Sequence, residues 1–388
     1  MRLLLITIIW CSCLFSGFLG YSQLIANSRY LHNGNQALRA MSRQLPPQDH
    51  ARFTRLAEEA KKRAIVYDSQ IEKYQLVDGM LVNRSSDGAI HDQCDSLLFS
   101  ALRYVSLEKL GQHEAAADAW LAIEKSRDNG TWLRHPQCFR STSRDMILGL
   151  LIAMTRSPPN YQQHLRSLMA MVDENNGYFG TGPFYVSYLS PGLARLMATI
   201  AVDDQSINTA IPAFFDSGYS TAEVEVMVTP RGFESHLGGL TAWLELELAE
   251  QGKFPKDSAS SILRTLSNLT PQLGLTPIDK QRLDWITDRL VKSDPNNLFF
   301  RYLRLRSAGA LTESMRARLL VELLNMPQFP QDRLPMNCDR SADYLWQRED
   351  RARNLEPISC TMQFSGTDFL WMTALLLDNS NAVIAGAP

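Results

Sequence analysis

From Gln48 to Leu377 the chain reads as one helix-length segment after another, and this restricts the fold more than any other feature. Gln48–Lys73 sets Ala51, Phe53, Leu56, Ala57 and Ala60 among charged residues at helical spacing. Such spacing gathers apolar side chains on one face of an α-helix. Cys94–Leu110 is different: Leu97, Leu98, Ala101, Leu102, Val105 and Leu107 leave it apolar on most of its surface. A helix of that kind is expected to be buried. Gly111 ends it as a C′ glycine, and Glu114–Lys125 follows at once, giving a helical hairpin. The spacing predicts further helices over Ser143–Thr155, Tyr161–Val172, Pro191–Ala201, Glu234–Gln251, Lys256–Asn268, Asp279–Lys292, Asn296–Ser307, Thr312–Leu324 and Gly366–Leu377. Gly- or Pro-bearing turns, such as Pro158-Pro159, separate them. This amounts to roughly a dozen helices arranged as successive hairpins. Only Thr221–Thr229, with Ala222, Val224, Val226 and Val228, alternates with the period of a strand or an extended lip.

A different kind of stretch precedes these segments. Met1-Arg2 leads into an almost unbroken apolar run, Leu3–Leu19, then Gly20, Tyr21, Ser22 and Gln23. A basic start, an apolar core and small residues at a cleavage point make a secretory signal, with Gly20 and Ser22 in the small positions. The rival reading is an uncleaved anchor, for which the run is short against the ~20 residues that span a bilayer. Cys11 follows the bulky Trp10, and no lipoprotein signal is expected at it or at Cys13. An extracytoplasmic location, periplasmic or secreted, is expected. Residues 1–22 form the leader, 23–47 an extended polar arm and 48–388 a single domain undivided by any Gly-rich linker.

In an oxidising compartment the remaining cysteines, Cys94, Cys138, Cys338 and Cys360, can pair fully. Three connectivities are open, and sequence neighbours are the expected pairs. In the chain-entropy model the Cys94–Cys138 and Cys338–Cys360 loops would contribute roughly 4 and 3 kcal/mol. The alternatives are buried free thiols or a metal site, but the close C-x2-C spacing of structural zinc is missing, so no metal is expected. The formal net charge of −2, with no basic run beyond Lys61-Lys62-Arg63, gives no reason to expect nucleic acid. The motifs of phosphate loops, dinucleotide folds, zincins, α/β-hydrolases and EF-hands are missing, so no cofactor is expected. N-x-S/T triplets at Asn83, Asn129 and Asn268 are too short to decide anything.

Two recurrent units stand out. One runs from Leu107-Glu108-Lys109-Leu110-Gly111 through Glu114-Ala115-Ala116 and Ala119-Trp120-Leu121 to Asn129-Gly130-Thr131-Trp132. The other is Leu165–Val172 followed by Asn175-Asn176-Gly177-Tyr178-Phe179-Gly180. Each is a helix followed by a polar, Gly-bearing loop ending in an aromatic residue. The pattern resembles the α/α-toroid (six-hairpin) superfamily of glycosidases, polysaccharide lyases and terpenoid cyclases. That resemblance implies an all-α barrel of about six helical hairpins with a few short strands or extended loops. The cyclases' acidic motif is missing, which leans the resemblance toward the glycan-processing branch. The same stretch is similar to a tetratricopeptide repeat, with Leu110-Gly111, Ala115-Ala116 and Asp294-Pro295-Asn296-Asn297 in suggestive places. No fixed 34-residue period recurs. An open helical-repeat scaffold that binds a partner protein is therefore the competing reading.

The toroid resemblance implies that inner helices begin at one rim, where loops build the site. Asp92 and Asp95, Ser143-Arg144-Asp145, and Thr367-Asp368 all stand at predicted helix starts. Capping explains any one of them, because Asp, Ser and Thr suit N-caps and carboxylates suit the positive helix end. Bonding Cys94 to Cys138 would set their α-carbons about 5–6 Å apart. Asp92 and Asp95 would then approach Arg134, His135 and Asp145. Carboxylates beside Arg and His can divide into a general acid and a base or nucleophile, as glycoside hydrolysis requires. A lyase would instead use a base beside a uronate and cations for its carboxylate, roles open to Arg134, His135, Arg144 and His236. A buried structural ion-pair network is the plain alternative.

The expected catalytic set is Asp145, Asp92, Asp95, His135 and Asp368. Arg134, Arg144, Trp132, His236, Trp346 and Arg348 are expected to hold a glycan, with Trp132 and Trp346 as surface platforms for sugar rings. Trp371, in an apolar helix, is expected in the core.

Overall fold

A computed structural model describes residues 30–45, 50–85, 89–92, 96–128, 131–138, 142–175, 196–197, 200–201, 232–251, 278–325, 362–363 and 367–378. The chain is predominantly helical, as the periodicity predicts. The leader, residues 221–229 and 256–268, Asp95, Cys94, Cys338, Cys360, Trp346 and Arg348 lie outside the described residues. No helix among the described residues is long and apolar enough to cross a membrane.

The extended-arm reading of residues 23–47 is corrected where that segment is described, because residues 30–44 form a helix, α1. Leu31, Asn35 and Ser42 are buried and Leu38 packs on the core, a stripe at helical spacing. Asn35 Nδ2 donates to Asp284 Oδ2 at 2.8 Å, and Arg39 Nε donates to the Ala308 carbonyl at 2.6 Å. Half of this stripe is polar, which hides the helical periodicity in the sequence.

Among the described residues the remaining helices fall into two kinds. Five are buried along nearly their whole length: α3 (Ser96–Lys109), α5 (Arg144–Met154), α7 (Gly232–Glu250), α9 (Leu298–Ser307) and α11 (Thr367–Leu377). The others bury one face: α2 (His50–Tyr74), α4 (His113–Glu124), α6 (Tyr161–Glu174), α8 (Ile278–Ser293) and α10 (Glu313–Leu324). Along the chain each buried helix from α3 to α9 is followed by a half-exposed one wherever both are described, which is the sequence of a helical-hairpin fold. The core is continuous through all of them. Helix α3 packs on α4, α5 and α11, and α11 packs also on α2 and α10. The α3–α5 crossing is close at Gly149, where an added Cβ would stand 2.7 Å from Leu98 Cα.

The C-terminal ends of the five buried helices meet in one ion network. Lys109 closes α3, Arg156 follows α5, Glu247 and Glu250 lie in the last turn of α7, Arg306 ends α9 and Asp378 follows α11. Lys109 Nζ contacts Glu247 at 2.9 Å and also Asp378. Arg306 reaches Glu247 at 2.8 Å and Glu250 through Nε at 2.9 Å, and Arg156 adds a further bond to Glu247. These helices therefore run in one direction. Cations also suit helix C-termini, where the backbone dipole is negative.

The two ends differ in their connections. At the network end the links that are described throughout are short: Leu110–Gln112, residues 155–160 and residues 308–312; most of the link after α7 lies outside the described residues. At the opposite end, residues 75–95 and 125–143 carry small strands, while the link into α9 is short and capped by Asn297, which accepts from Phe300 N at 3.1 Å. Strands β1 (Leu76–Val77) and β2 (Met80–Leu81) form a hairpin turned at Asp78 and Gly79, both with positive φ. Strand β3 (Asn83–Ser85) lies between β4 (Ile90–Asp92) and β7 (Met362–Gln363), all antiparallel. Strands β5 (Arg127–Asp128) and β6 (Thr131–Trp132) make a second hairpin.

Candidate functional site

The N-terminal ends of the buried helices gather most of the described residues expected to carry chemistry. Strand β3 joins the two ends of the chain: Asn83 pairs with Asp92 on one side, and Arg84 pairs with Gln363 on the other. Strand β4 leads into α3 and β7 leads into α11, so these two helices start beside each other. The ring of His236, near the start of α7, stacks on Phe99 in the first turn of α3 at 6.2 Å and 27°. Phe99 is 6 % exposed and His236 is fully buried.

Residues 133–138 form the loop between β6 and α5. The Leu97 amide donates to the Arg134 carbonyl at 3.0 Å, which satisfies one bare N–H at the start of α3. Arg134 and Arg144 are half-buried. Asp145 is half-buried in the first turn of α5 and accepts from the Ser143 hydroxyl. Ser143 has the extended backbone of an N-cap, but its hydroxyl goes to Asp145 and not to a helix amide. Asp368 is buried in the first turn of α11 beside Thr367. Its neighbour Phe369 meets the Tyr67 ring at 5.6 Å and lies under the Arg63 guanidinium at 5.0 Å. Both carboxylates stand at positive helix ends, where a negative charge is favoured. A hollow of about 630 Å³ opens near this loop, lined in part by Asp78, Asp118, Leu121 and Glu124. No group of three metal-ligating side chains occurs among the described residues.

Two expectations are corrected. Trp132 is not a surface platform. It is fully buried, its ring 6.2 Å from Trp120 and edge-on to His164 at 5.3 Å. The β5–β6 hairpin turns this ring into the protein, where His164 is held by Glu124 at 2.8 Å. His135 is not placed as a general acid or base. Its ring is buried, Nε2 lies 3.1 Å from the Val77 carbonyl, and Nδ1 lies 3.1 Å from the Gln137 amide. Both nitrogens are occupied by backbone groups. Trp371 is in the core as expected, 4.8 Å from Trp243. Cys138 is disulfide-bonded; it is the sole cysteine among the described residues, so its partner lies outside them.

The sequence reading missed the ion network and the β4–β3–β7 sheet. A signal for the network existed: Glu245 and Glu247 interrupt the apolar run Leu240–Leu248, and a carboxylate there demands partners. Glu245 is paired with Arg282, both buried. The strands are too short to show alternation. No model of a known protein family matches the chain, and no curated protein matches it.

Proposed function

We propose that the hairpins close into an α/α toroid and that the rim made by the N-terminal ends of the buried helices binds and hydrolyses a glycan, outside the cytoplasm. The observation that carries this reading is the asymmetry between the two ends. One end has short turns among the described residues and a dense ion network. The other has the strand-bearing connections, Asp145 and Asp368 at helix starts, and early and late chain segments joined through β3. Contact between α3 and α11, the first and last buried helices, supports ring closure.

In this reading one carboxyl protonates the leaving glycosidic oxygen. A second activates water or attacks the anomeric carbon. Asp145 with Asp92 or Asp95 is the proposed pair, and Asp368 is a further candidate. Arg134 and Arg144 orient the sugar, with Trp346 and Arg348 contributed from the late segment; His236, expected to join them, is fully buried against Phe99 and supports the rim from behind. Disulfides Cys94–Cys138 and Cys338–Cys360 would brace the two loop clusters. His135, tied at both ring nitrogens, is poorly suited to be a lyase base, which favours hydrolysis.

The test is release of reducing ends from a panel of soluble polysaccharides and cell-wall glycan by the purified protein. Asp145→Asn and Asp92→Asn are each expected to lower the rate by about 10²–10⁴-fold. Full activity in both variants would sink the carboxylate assignment. No release from any glycan, together with solution scattering of an open superhelix, would replace the reading with a partner-binding scaffold.

A further inference from the structure

The geometry points to His135 as the positioning residue that fixes Arg134 at the start of α3, acting as the neutral Nε2–H tautomer; its functional meaning rests on the rim reading above. Residues 133–138 have no regular hydrogen-bond ladder of their own, so tethers must set their position. Leu133 N donates to the Ser126 carbonyl at 2.8 Å, anchoring the loop to the β5–β6 hairpin. The Arg134 carbonyl accepts from Leu97 N, anchoring it to α3. The His135 carbonyl accepts from Cys138 N at 2.9 Å, and Gln137 Nε2 donates to Asp78. Two links cross from this loop to the β1–β2 hairpin: Gln137 to Asp78 at its exposed edge, and the buried His135 ring to the Val77 carbonyl.

The tautomer follows from the partners. The Gln137 backbone N–H can only donate, so Nδ1 must accept and carries no proton. The Val77 carbonyl can only accept, so the ring proton sits on Nε2. The imidazole thus supplies one acceptor and one donor at fixed separation, inside a site from which water is excluded. Asn could offer an acceptor to the near amide, and Gln a donor to the far carbonyl. Neither replaces both. Arg134 immediately precedes this ring, so the loop tether decides where its guanidinium stands relative to the rim.

The experiment needs no substrate. Long-range ¹H–¹⁵N spectra of the ¹⁵N-histidine-labelled protein are expected to show His135 with a bare Nδ1 and a protonated Nε2. An Nδ1–H ring or an imidazolium at neutral pH overturns the proposal. Hydrogen exchange of His135→Ala is expected to show the Leu97 and Gln137 amides losing protection by about tenfold or more, while α6 amides keep theirs. His135→Gln, which can keep the Val77 bond, should recover part of the Leu97 protection. Unchanged protection at Leu97 in His135→Ala also overturns it. If the alanine variant does not fold, the wild-type spectra still decide. Failure on glycans would count against the rim reading and leave these two measurements untouched.

Discussion

Glu247→Gln probes the ion network that gathers the ends of the five buried helices. The Glu247 carboxylate is 5 % exposed, and its two oxygens receive Lys109, Arg156 and Arg306. Burial alone would raise its pKa. The attraction of Arg306, then of Lys109 and Arg156, outweighs burial and lowers it from 4.5 to about 2. That gap corresponds to roughly 3 kcal/mol of folding stability. Because the folded value is the lower one, this stability is fully present above the unfolded carboxyl range. It is lost as pH falls from about 4.5 toward 2. The glutamine variant keeps the size but leaves the buried Lys109 and Arg306, with the partly exposed Arg156, facing only Glu250 and Asp378. Breaking a buried pair from one side costs about 3–5 kcal/mol. Urea unfolding followed by circular dichroism is expected to show that loss at neutral pH. The gap between the two proteins should narrow as pH approaches about 3, because the wild type gives up its own contribution there. A loss under about 1 kcal/mol, or a gap that ignores pH, would refute the claim that this network holds the helix ends together.

Gly149→Ala is expected to destabilise by about 1–3 kcal/mol, read as a lower thermal midpoint, since the new Cβ would press on Leu98 backbone that cannot yield. An unchanged midpoint would mean that α3 and α5 can separate at this crossing. Asp68→Leu should cost about 3 kcal/mol: Arg103 is 3 % exposed and bonded to Asp68 at 2.7 and 2.9 Å, and the change leaves it only the exposed Glu72 at 2.9 Å. Adding Arg103→Met should restore most of the loss, and a double variant no better than the single one would show that the pair is not coupled.

The helices were legible because their signals are local. Ser143 and Thr155 bracket the segment found as Arg144–Met154, and the apolar surface of Cys94–Leu110 announced that α3 is buried all round. Helix α1 was not legible, since Asn35 and Ser42 occupy inward positions and mute its apolar stripe. Strands of two or three residues have no room for a period. At the candidate site, helix-start carboxylates such as Asp145 and Asp368 could be picked out from the chain alone. The fate of His135 could not, because its partner is a backbone carbonyl at Val77, on a hairpin no local pattern predicts. Trp132 misled for a related reason: a loop position says nothing about which way a ring turns when Trp120 and His164 wait behind it.

The contact between α3 and α11 also governs when this protein can be made. Helix α3 needs cover on every side, and part of that cover is α11, far along the chain. Strand β3 likewise waits for Met362 and Gln363. A chain delivered from its N-terminus therefore holds α3 covered only in part, by α4 and α5, until residues 367–377 have emerged. Long-range closure must be completed before its contacts reward it. Completion of this part of the core waits on α11, and the unfinished chain depends on shielding of the uncovered side of α3 until then.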